Sequence, residues 1–325
     1  MQKLPDRYIL LYMILLARLK LLFIFLVTLF FLNGCATEPY LEVKKEKLSI
    51  LSTTIMIGDI VSYIGGDKIE SNVLISRELD PHSYEFVKGD DEKLLDADLI
   101  FYNGLGLEHG GSVRRFLKKS LNSYALGDEL STRNPALLIY LDNVPDPHIW
   151  MDVSIWQKVA ELITEILIKK DPLHSAYFLE RSVDLQKKYA QLHQVVHKKI
   201  TEIPLKKRYL VTSHDAFNYF ARAYFGSDWQ KRVLAPEGLA PDGQISLQGL
   251  RLIINQMKEH NIQVVFPEAY VSPDPLRKIQ ESAEFEGLVV KISRDSLYSD
   301  SLPEGGDYQG MILYNAGVIH DNLAR

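Results

Sequence analysis

The 325-residue sequence exceeds the usual size of one compact domain, so two domains of about 120 to 150 residues are the first expectation. A hydrophobic content of 46% with 24% charged residues excludes a largely disordered chain. The formal net charge of -5 comes without a large basic segment, so we expect no nucleic-acid partner.

The N-terminal segment has the layout of a secretory signal. An uninterrupted apolar run covers residues 21–32, and Arg18 and Lys20 precede it. The sequence Leu-Asn-Gly-Cys at 32–35 matches the bacterial lipobox, and Cys35 is the only cysteine in the chain. Lipid attachment explains such a cysteine better than redox chemistry or a disulfide does. The alternative is a transmembrane anchor with an incidental cysteine.

We therefore predict a lipoprotein signal peptide over residues 1–35, followed by a short polar tether over residues 36–46. A second apolar stretch near the start makes this signal unusually long. Translation from Met13 would give a short basic segment, an apolar core and the lipobox, and we take that start as a hypothesis. The mature protein is expected outside the cytoplasm, in the periplasm, with its lipid in a bacterial membrane.

From residue 47 onward, strand-like and helix-like segments alternate, which predicts an α/β fold with mainly parallel sheets flanked by helices. The first series has strand-like segments at 48–54, 72–76 and 98–104, with helix-like segments at 55–66 and 88–97. The second series begins with a strand-like segment at 208–214 and ends in a helix at 308–323.

The longest helical pattern lies between the two series and has a proline at each end, Pro172 and Pro204. We therefore predict two α/β lobes, residues 47–172 and 205–325, joined by one long helix over residues 173–204. A single rigid connecting helix would restrict hinge motion between the lobes.

Three histidines share a similar local setting. His82 and His148 each end the tripeptide Asp-Pro-His, and His214 follows a strand-like segment directly. His82 and His214 are thus expected near the carboxyl ends of strands, where open α/β sheets bind ligands. Imidazole nitrogens suit Zn, Mn and Fe ions. The three side chains are therefore predicted to bind one metal ion.

The other six histidines lack this setting, and we predict that they do not bind metal. One pair among them has a metal-capable spacing of four residues on a helix, but it lacks the glutamate of an HExxH pattern and is expected on a solvated face. The six are His109, His174, His193, His197, His260 and His320.

A fourth ligand is expected to be an oxygen donor from the second lobe. Asp300 lies just beyond a strand-like segment, and Glu268 ends another. Local sequence favours Asp300 over Glu268 only slightly, and Asp215 and Glu237 are weaker candidates.

Seven segments resemble, in order, the motif series of the cluster A-I metal-binding proteins of ABC transporters, the zinc, manganese and iron group. The similarity runs from about residue 47 to residue 320, and the phrases VKGDDEKL, NGLGLEH and YSDSL are especially similar to lipoproteins of obligate intracellular bacteria, some of them associated with iron. The seven segments are DPHSYE, IFYNGLGLE, PDPHIWMD, YLVTSHDAFNYFARAY, APEGLAPDGQIS, VVFPEAYVSPDPLRKI and LYSDSL.

The resemblance implies two α/β lobes joined by one long helix, with the metal in the cleft between them. Its four ligand positions fall on His82, His148, His214 and Asp300. Glu268 then becomes a neighbour of the ligands, and Asp215 is a second such candidate. The chain lacks the His-rich acidic loop typical of dedicated zinc importers. Several manganese-specific members carry glutamate where this chain has a histidine at its third position.

These observations predict a protein that captures one divalent transition metal, Zn, Mn or Fe, as a monomer and delivers it to the permease of an ABC importer. The nitrogen-rich ligand set does not suit Ca or Mg, but it does not name the transition metal. The alternatives are a zinc-dependent hydrolase, with Glu268 as its base, and a surface adhesin lipoprotein. We predict no enzyme, because HExxH, GxSxG and GxxxxGK[ST] patterns are absent.

Overall fold

The computed structural model describes residues 6–32, 47–241 and 245–324. The chain divides into two compact units between Glu46 and Lys47. The described part of the first unit is the helix α1 (Asp6–Leu32). Within the described residues, no helix combines the length and the apolar character that crossing a membrane requires. Cys35 and the predicted tether lie outside the described residues, so the lipobox stays a prediction.

A parallel four-stranded sheet organises residues 47–172, which we call the N-terminal half. Its spatial order is β2-β1-β3-β4, and every neighbouring pair is parallel. Parallel neighbours need crossover connections, which the helices supply. The strands are β1 (Leu48–Ser52), β2 (Ile69–Val73), β3 (Leu99–Tyr102) and β4 (Ser123–Ala125). The helices are α2 (Ile55–Gly65), α3 (Asp90–Asp96), α4 (Gly111–Leu117), α5 (Leu126–Arg133) and α6 (Val153–Lys170).

Two details of this half differ from the sequence pattern. The strand predicted at 72–76 begins three residues earlier, although Leu74 N and Ile75 N still donate to the carbonyls of Ser52 and Thr53 at 2.9 and 3.1 Å. A short antiparallel hairpin, β5 (Tyr140–Leu141) and β6 (Val144–Pro145), precedes His148. The pattern made no prediction for it, because strands of two residues carry too little periodicity.

The long connecting helix is present as α7 (Ser175–Thr201). It buries one stripe of side chains at helical spacing, including Phe178, Leu185, Tyr189 and Val196. Pro172 opens a 3₁₀ turn before the helix, and Pro204 comes after its C-terminus. The helix therefore lies between the two prolines, as predicted.

The C-terminal half, residues 205–324, contains two parallel strand pairs, β7 with β8 and β9 with β10. An isolated parallel bridge joins Glu268 to Leu297. The predicted α/β class with parallel sheets flanked by helices is confirmed. The strands are β7 (Leu210–Val211), β8 (Val233–Leu234), β9 (Val264–Val265) and β10 (Lys291–Ile292). The helices are α8 (Asn218–Tyr224), α9 (Leu247–His260), α10 (Asp274–Phe285) and α11 (Tyr308–Leu323).

The largest apolar cluster runs through both halves. It includes Ile50 and Trp156 from the N-terminal half together with Phe217 and Tyr308 from the C-terminal half. Two smaller clusters lie within one half each. A division into lobes at residues 172 and 204 stays a prediction, and the shared core favours the predicted restriction of hinge motion.

Candidate metal centre

Four of the sequence-predicted side chains converge on one point. Each of His82, His148, His214 and Asp300 offers a ligand atom, and these atoms all lie within 4.8 Å of one another. The imidazole centroids are 5.3 Å apart for His82 and His148, 5.9 Å for His82 and His214, and 5.3 Å for His148 and His214. The rings therefore surround a space small enough for a single ion.

The donor atoms of this cluster are buried and lack hydrogen bonds. The Nε2 atoms of His82 and His148 lie 3.6 Å from the Asp300 carboxylate, and Nε2 of His214 lies 3.1 Å from it. None of the three Nε2 atoms, and neither Asp300 oxygen, has a hydrogen-bond partner among the described residues. Burying polar atoms without partners is costly. A cation bound by all four side chains would remove that cost, so the donor set fits a metal ion.

The His82 loop is held from both sides. The Asp80 carboxylate accepts a hydrogen bond from His82 N at 2.9 Å, which closes a turn around Pro81. The carbonyl of His82 accepts from His109 N at 3.1 Å and from Gly110 N at 3.2 Å. These bonds fix the backbone that presents the imidazole.

Glu108 is a buried carboxylate behind this loop. It accepts hydrogen bonds from the Thr53 hydroxyl at 2.7 Å, from Asn103 N at 2.8 Å and from Gly104 N at 3.1 Å. Burial raises the pKa of Glu108, against the lowering effect of these donors. The residue ties together the ends of the neighbouring strands β1 and β3, and these three hydrogen bonds reach none of the four clustered side chains.

His148 is oriented by the aspartate of its own Asp-Pro-His tripeptide. Asp146 Oδ1 lies 2.7 Å from Nδ1 of His148 and also accepts from His148 N at 3.0 Å. A proton on Nδ1 leaves the Nε2 lone pair directed at the cluster. The other Asp146 oxygen accepts from Asn218 at 3.0 Å, and the Tyr219 hydroxyl donates to the Asp146 carbonyl at 3.1 Å. Sequence reasoning missed this role of Asp146, although the repeated tripeptide was the available signal.

Glu268 serves the corresponding purpose for His214. Its Oε1 accepts from Ser213 N at 2.8 Å and from His214 N at 3.0 Å. Its Oε2 lies 2.8 Å from Nδ1 of His214, in a contact that is close but poorly aligned for a hydrogen bond. The structure thus places Glu268 behind a histidine, while Asp300 contacts the opposite ring nitrogen.

The charges of the centre are strongly coupled. Burial acts to lower the pKa of His214, but the Glu268 and Asp300 carboxylates raise it well above its ordinary value. Burial acts to raise the pKa of Asp300, but the neighbouring imidazoles, His214 foremost, hold it well below its usual range. The charged forms of the Asp300 carboxylate and the His214 imidazole therefore stabilise each other.

Asp300 is presented by a loop that follows the bridge at Leu297. Asn315 on α11 accepts from Tyr298 N at 2.9 Å and donates to Tyr298 O at 2.7 Å. The Asp300 side chain is 9% exposed, whereas the three imidazoles are at most 2% exposed. Asp300 is therefore the member of the cluster nearest to solvent.

Asp215 is connected to the cluster of four side chains through other polar residues. Its carboxylate accepts from Asn218 at 2.9 Å, the same amide that donates to Asp146. Burial and the nearby Asp146 charge raise the pKa of Asp215 to about 7. The hydrogen-bonded path from Asp215 to His148 therefore passes through Asn218 and Asp146.

No second group of metal-binding side chains occurs in the part of the chain that the structure describes. The His109 ring packs 5.8 Å from that of His82 but lies outside the cluster. The expectation of a solvated His193 is wrong, because its Nδ1 lies 3.0 Å from the Tyr224 hydroxyl and the ring is half-buried. His197, one turn later, is exposed as predicted.

The chain is similar to metal-binding proteins along most of its length. The family model described as zinc-uptake complex component A, periplasmic (ZnuA), matches residues 50–322. The metal-binding protein YtgA of Chlamydia pneumoniae is 39% identical over 297 residues, 89% of this chain and 90% of its own. The manganese-binding lipoprotein MntA of Bacillus subtilis is 31% identical over 296 residues, 89% of this chain and 94% of its own.

A solved structure agrees in fold. The crystal structure of Fe(III)-bound YtgA from Chlamydia trachomatis has a TM-score of 0.81 and 34% identity, and the match covers 85% of this chain and 98% of that one. The matched family is made up of substrate-binding proteins and not of enzymes, which overrides the hydrolase alternative. With a family match over residues 50–322 and close relatives along the same length, this chain belongs to the ZnuA family of metal-binding substrate-binding proteins.

Proposed function

We propose that this protein captures one divalent transition-metal ion with His82, His148, His214 and Asp300 and delivers it to the permease of an ABC importer. The observation that carries the proposal is the convergence of five buried donor atoms that have no hydrogen-bond partner among the described residues. A divalent ion held by three neutral imidazoles and one carboxylate would leave a net charge of about +1 at the centre.

The donor set restricts the cargo to a class of metals. Three nitrogen ligands and one oxygen suit Fe, Mn and Zn, whereas Ca and Mg prefer all-oxygen ligands. The names of the relatives point to the same group, with zinc for the family, manganese for MntA and Fe(III) for the YtgA structure. We infer that geometry and metal supply, rather than affinity alone, select the physiological ion.

Capture would connect the two predicted lobes. His82 and His148 belong to the N-terminal half, and His214 and Asp300 belong to the C-terminal half. A bound ion therefore bridges the halves and favours one closed arrangement, which the permease would recognise. We further propose that the protein acts as a monomer, lipid-anchored at Cys35 in the periplasm, where a membrane-bound carrier stays near its permease.

Elemental analysis tests the proposal directly. The full-length protein is extracted from its native membrane without chelators, and Fe, Mn and Zn are measured per mole of protein, followed by competition among the three ions. About one ion per chain supports capture. A metal-free protein that also fails to take up any of the three ions in the competition contradicts it.

We expect Glu268→Gln to lower metal affinity by about 10- to 100-fold, the usual cost of losing a partner behind a metal-binding histidine. The amide oxygen can still accept from Ser213 N and His214 N. The amide NH₂ then faces Nδ1 of His214 and favours the tautomer that carries its proton on Nε2, where the ion should bind. Chelator competition on the purified variant measures the loss.

A matched control for this variant is Glu108→Gln, which changes a buried carboxylate bonded to Thr53, Asn103 and Gly104 rather than to an imidazole. Glu108→Gln should lower the free energy of unfolding and leave metal affinity within about threefold. Equal affinity losses in both variants would show that the Glu268 effect is general destabilisation.

We expect metal affinity to fall as the pH is lowered from 7.5 to 5, because imidazoles must be neutral to bind a metal. The Glu268 and Asp300 carboxylates raise the pKa of His214 above its ordinary value, so protons compete with the metal at that ring at a higher pH than at an ordinary histidine. Each proton displaced on binding weakens apparent affinity by about tenfold per pH unit below the relevant pKa. Titrations at several pH values measure the slope, and a flat profile would argue against imidazole ligands.

A further inference from the structure

Trp150 is a buried side chain in contact with His148. It lies in the 3₁₀ turn Ile149–Met151, two residues after His148, and is fully buried. Its ring packs on the His148 imidazole, with centroids 5.3 Å apart and an angle of 68° between the planes. The indole therefore helps to fix that ring.

The same side chain reaches the C-terminal half. The indole Nε1–H donates to the carbonyl of Ser299 at 2.8 Å, and Ser299 directly precedes Asp300. Both groups are buried. A hydrogen bond shielded from water holds its geometry more firmly than an exposed one. Trp150 thus links a histidine ligand of one half to the loop that presents the carboxylate ligand of the other.

Trp150 is itself held in place by helix α11. The Tyr308 hydroxyl, at the first residue of α11, donates to the Trp150 carbonyl at 2.7 Å. Asn315 of the same helix bonds both backbone groups of Tyr298. The Asp300 loop is therefore fastened at Tyr298 by its own half and at Ser299 by the other half.

We propose that Trp150 is a positioning residue that sets the residence time of the metal. Its indole N–H keeps the Asp300 loop against His148, and breaking this bond lets the loop carry the Asp300 carboxylate away from the ion. Asp300 is the most solvent-exposed of the four ligands, so its departure is the first step in opening the centre. This inference rests on the proposed metal capture.

Trp156 provides a matched control. It is also fully buried, and its ring packs on those of Trp150 and Tyr308. Its indole nitrogen, however, has no hydrogen-bond partner among the described residues. Trp156→Phe and Trp150→Phe thus remove the same atoms from the same core, but only Trp150→Phe removes a hydrogen bond to the Asp300 loop.

The test uses full-length wild type, Trp150→Phe and Trp156→Phe loaded with Co(II). Transfer of the ion to excess chelator gives the dissociation rate, and the visible absorption of Co(II) reports the ligand geometry. We expect Trp150→Phe to release the ion about tenfold faster, with a changed spectrum, since one buried hydrogen bond is lost. Trp156→Phe should stay within about twofold of wild type, with the same spectrum.

The inference would be overturned if Trp150→Phe released Co(II) at the wild-type rate. It would also be overturned if both variants released the ion equally faster with unchanged spectra, because Trp150 would then only pack in the core. If Trp150→Phe does not fold, Tyr308→Phe removes only the hydroxyl that fixes the Trp150 carbonyl. It should accelerate release by about threefold, and an unchanged rate would count against the inference. A wild-type protein that binds no Co(II), Fe, Mn or Zn would instead refute the proposed function.

Discussion

Replacing His214 with alanine should lower metal affinity by more than the roughly 10- to 100-fold that loss of an outer partner costs. The substitution removes the ring nitrogen that lies 3.1 Å from Asp300 and leaves the buried Glu268 carboxylate without the imidazole it faces. Weak binding by His82, His148 and Asp300 should remain, with only Asp300 left to connect the ion to the C-terminal half. Calorimetric titration and small-angle scattering with and without metal measure affinity and closure.

His197→Ala is the control for this experiment. His197 is an exposed histidine on α7, outside the metal-binding cluster, so its loss should change neither affinity nor closure. Near-stoichiometric, tight binding by His214→Ala would mean that the ion is not held at this cluster. That result would remove the basis of the proposed function.

Gly110→Ala should lower the free energy of unfolding by about 3 kcal/mol, at the upper end of overpacking effects. A Cβ at Gly110 would lie 1.8 Å from the carbonyl oxygen of Tyr84 and 2.8 Å from its carbonyl carbon. Both are backbone atoms, so relief requires the loop itself to move. Because Gly110 N donates to the His82 carbonyl, metal affinity should fall together with stability. Chemical denaturation and chelator competition measure the two effects.

Gly238→Ala is a suitable comparison, since a Cβ there meets no atom within 4 Å and the residue does not have a positive φ. Its free energy of unfolding should stay within about 0.5 kcal/mol of wild type, as for most surface substitutions. A Gly110→Ala protein of wild-type stability would show that the loop around His82 adapts easily.

The alternation of strand-like and helix-like segments was enough to predict the α/β class and the long helix α7. These features depend on local periodicity and on prolines at helix ends, which a single sequence displays. The proximity of the three histidines was also predictable, because each follows a strand or a rigid Asp-Pro turn. The pattern assigned no strand or helix within residues 111–170, which contain α6, whose buried face depends on its packing against α7.

The choice between Asp300 and Glu268 was not decidable from local sequence. The parallel bridge between Glu268 and Leu297 brings the two carboxylates to the same sheet edge. Their side chains point in different directions, since Glu268 faces Nδ1 of His214 and Asp300 faces Nε2. Such a direction is set by tertiary packing, which periodicity does not report.

The two Asp-Pro-His motifs also make different contacts because of tertiary packing. Asp146 bonds both the backbone and the ring of its histidine, while Asp80 bonds the backbone of His82 and the hydroxyl of Ser83. Asn218 holds the second oxygen of Asp146 from 72 residues away in the chain. Identical tripeptides thus acquire different surroundings through partners that are remote in sequence.

The apolar cluster shared by the two halves also constrains how such a protein can change over evolutionary time. A half separated from its partner would expose side chains such as Trp156 or Tyr308, whose rings pack on each other across the two halves, and each would then favour aggregation over a stable fold. Recombination that exchanges one half for that of a distant homologue would disturb the same contacts. New metal preferences are therefore easier to acquire by substitutions around the ligands than by shuffling whole modules.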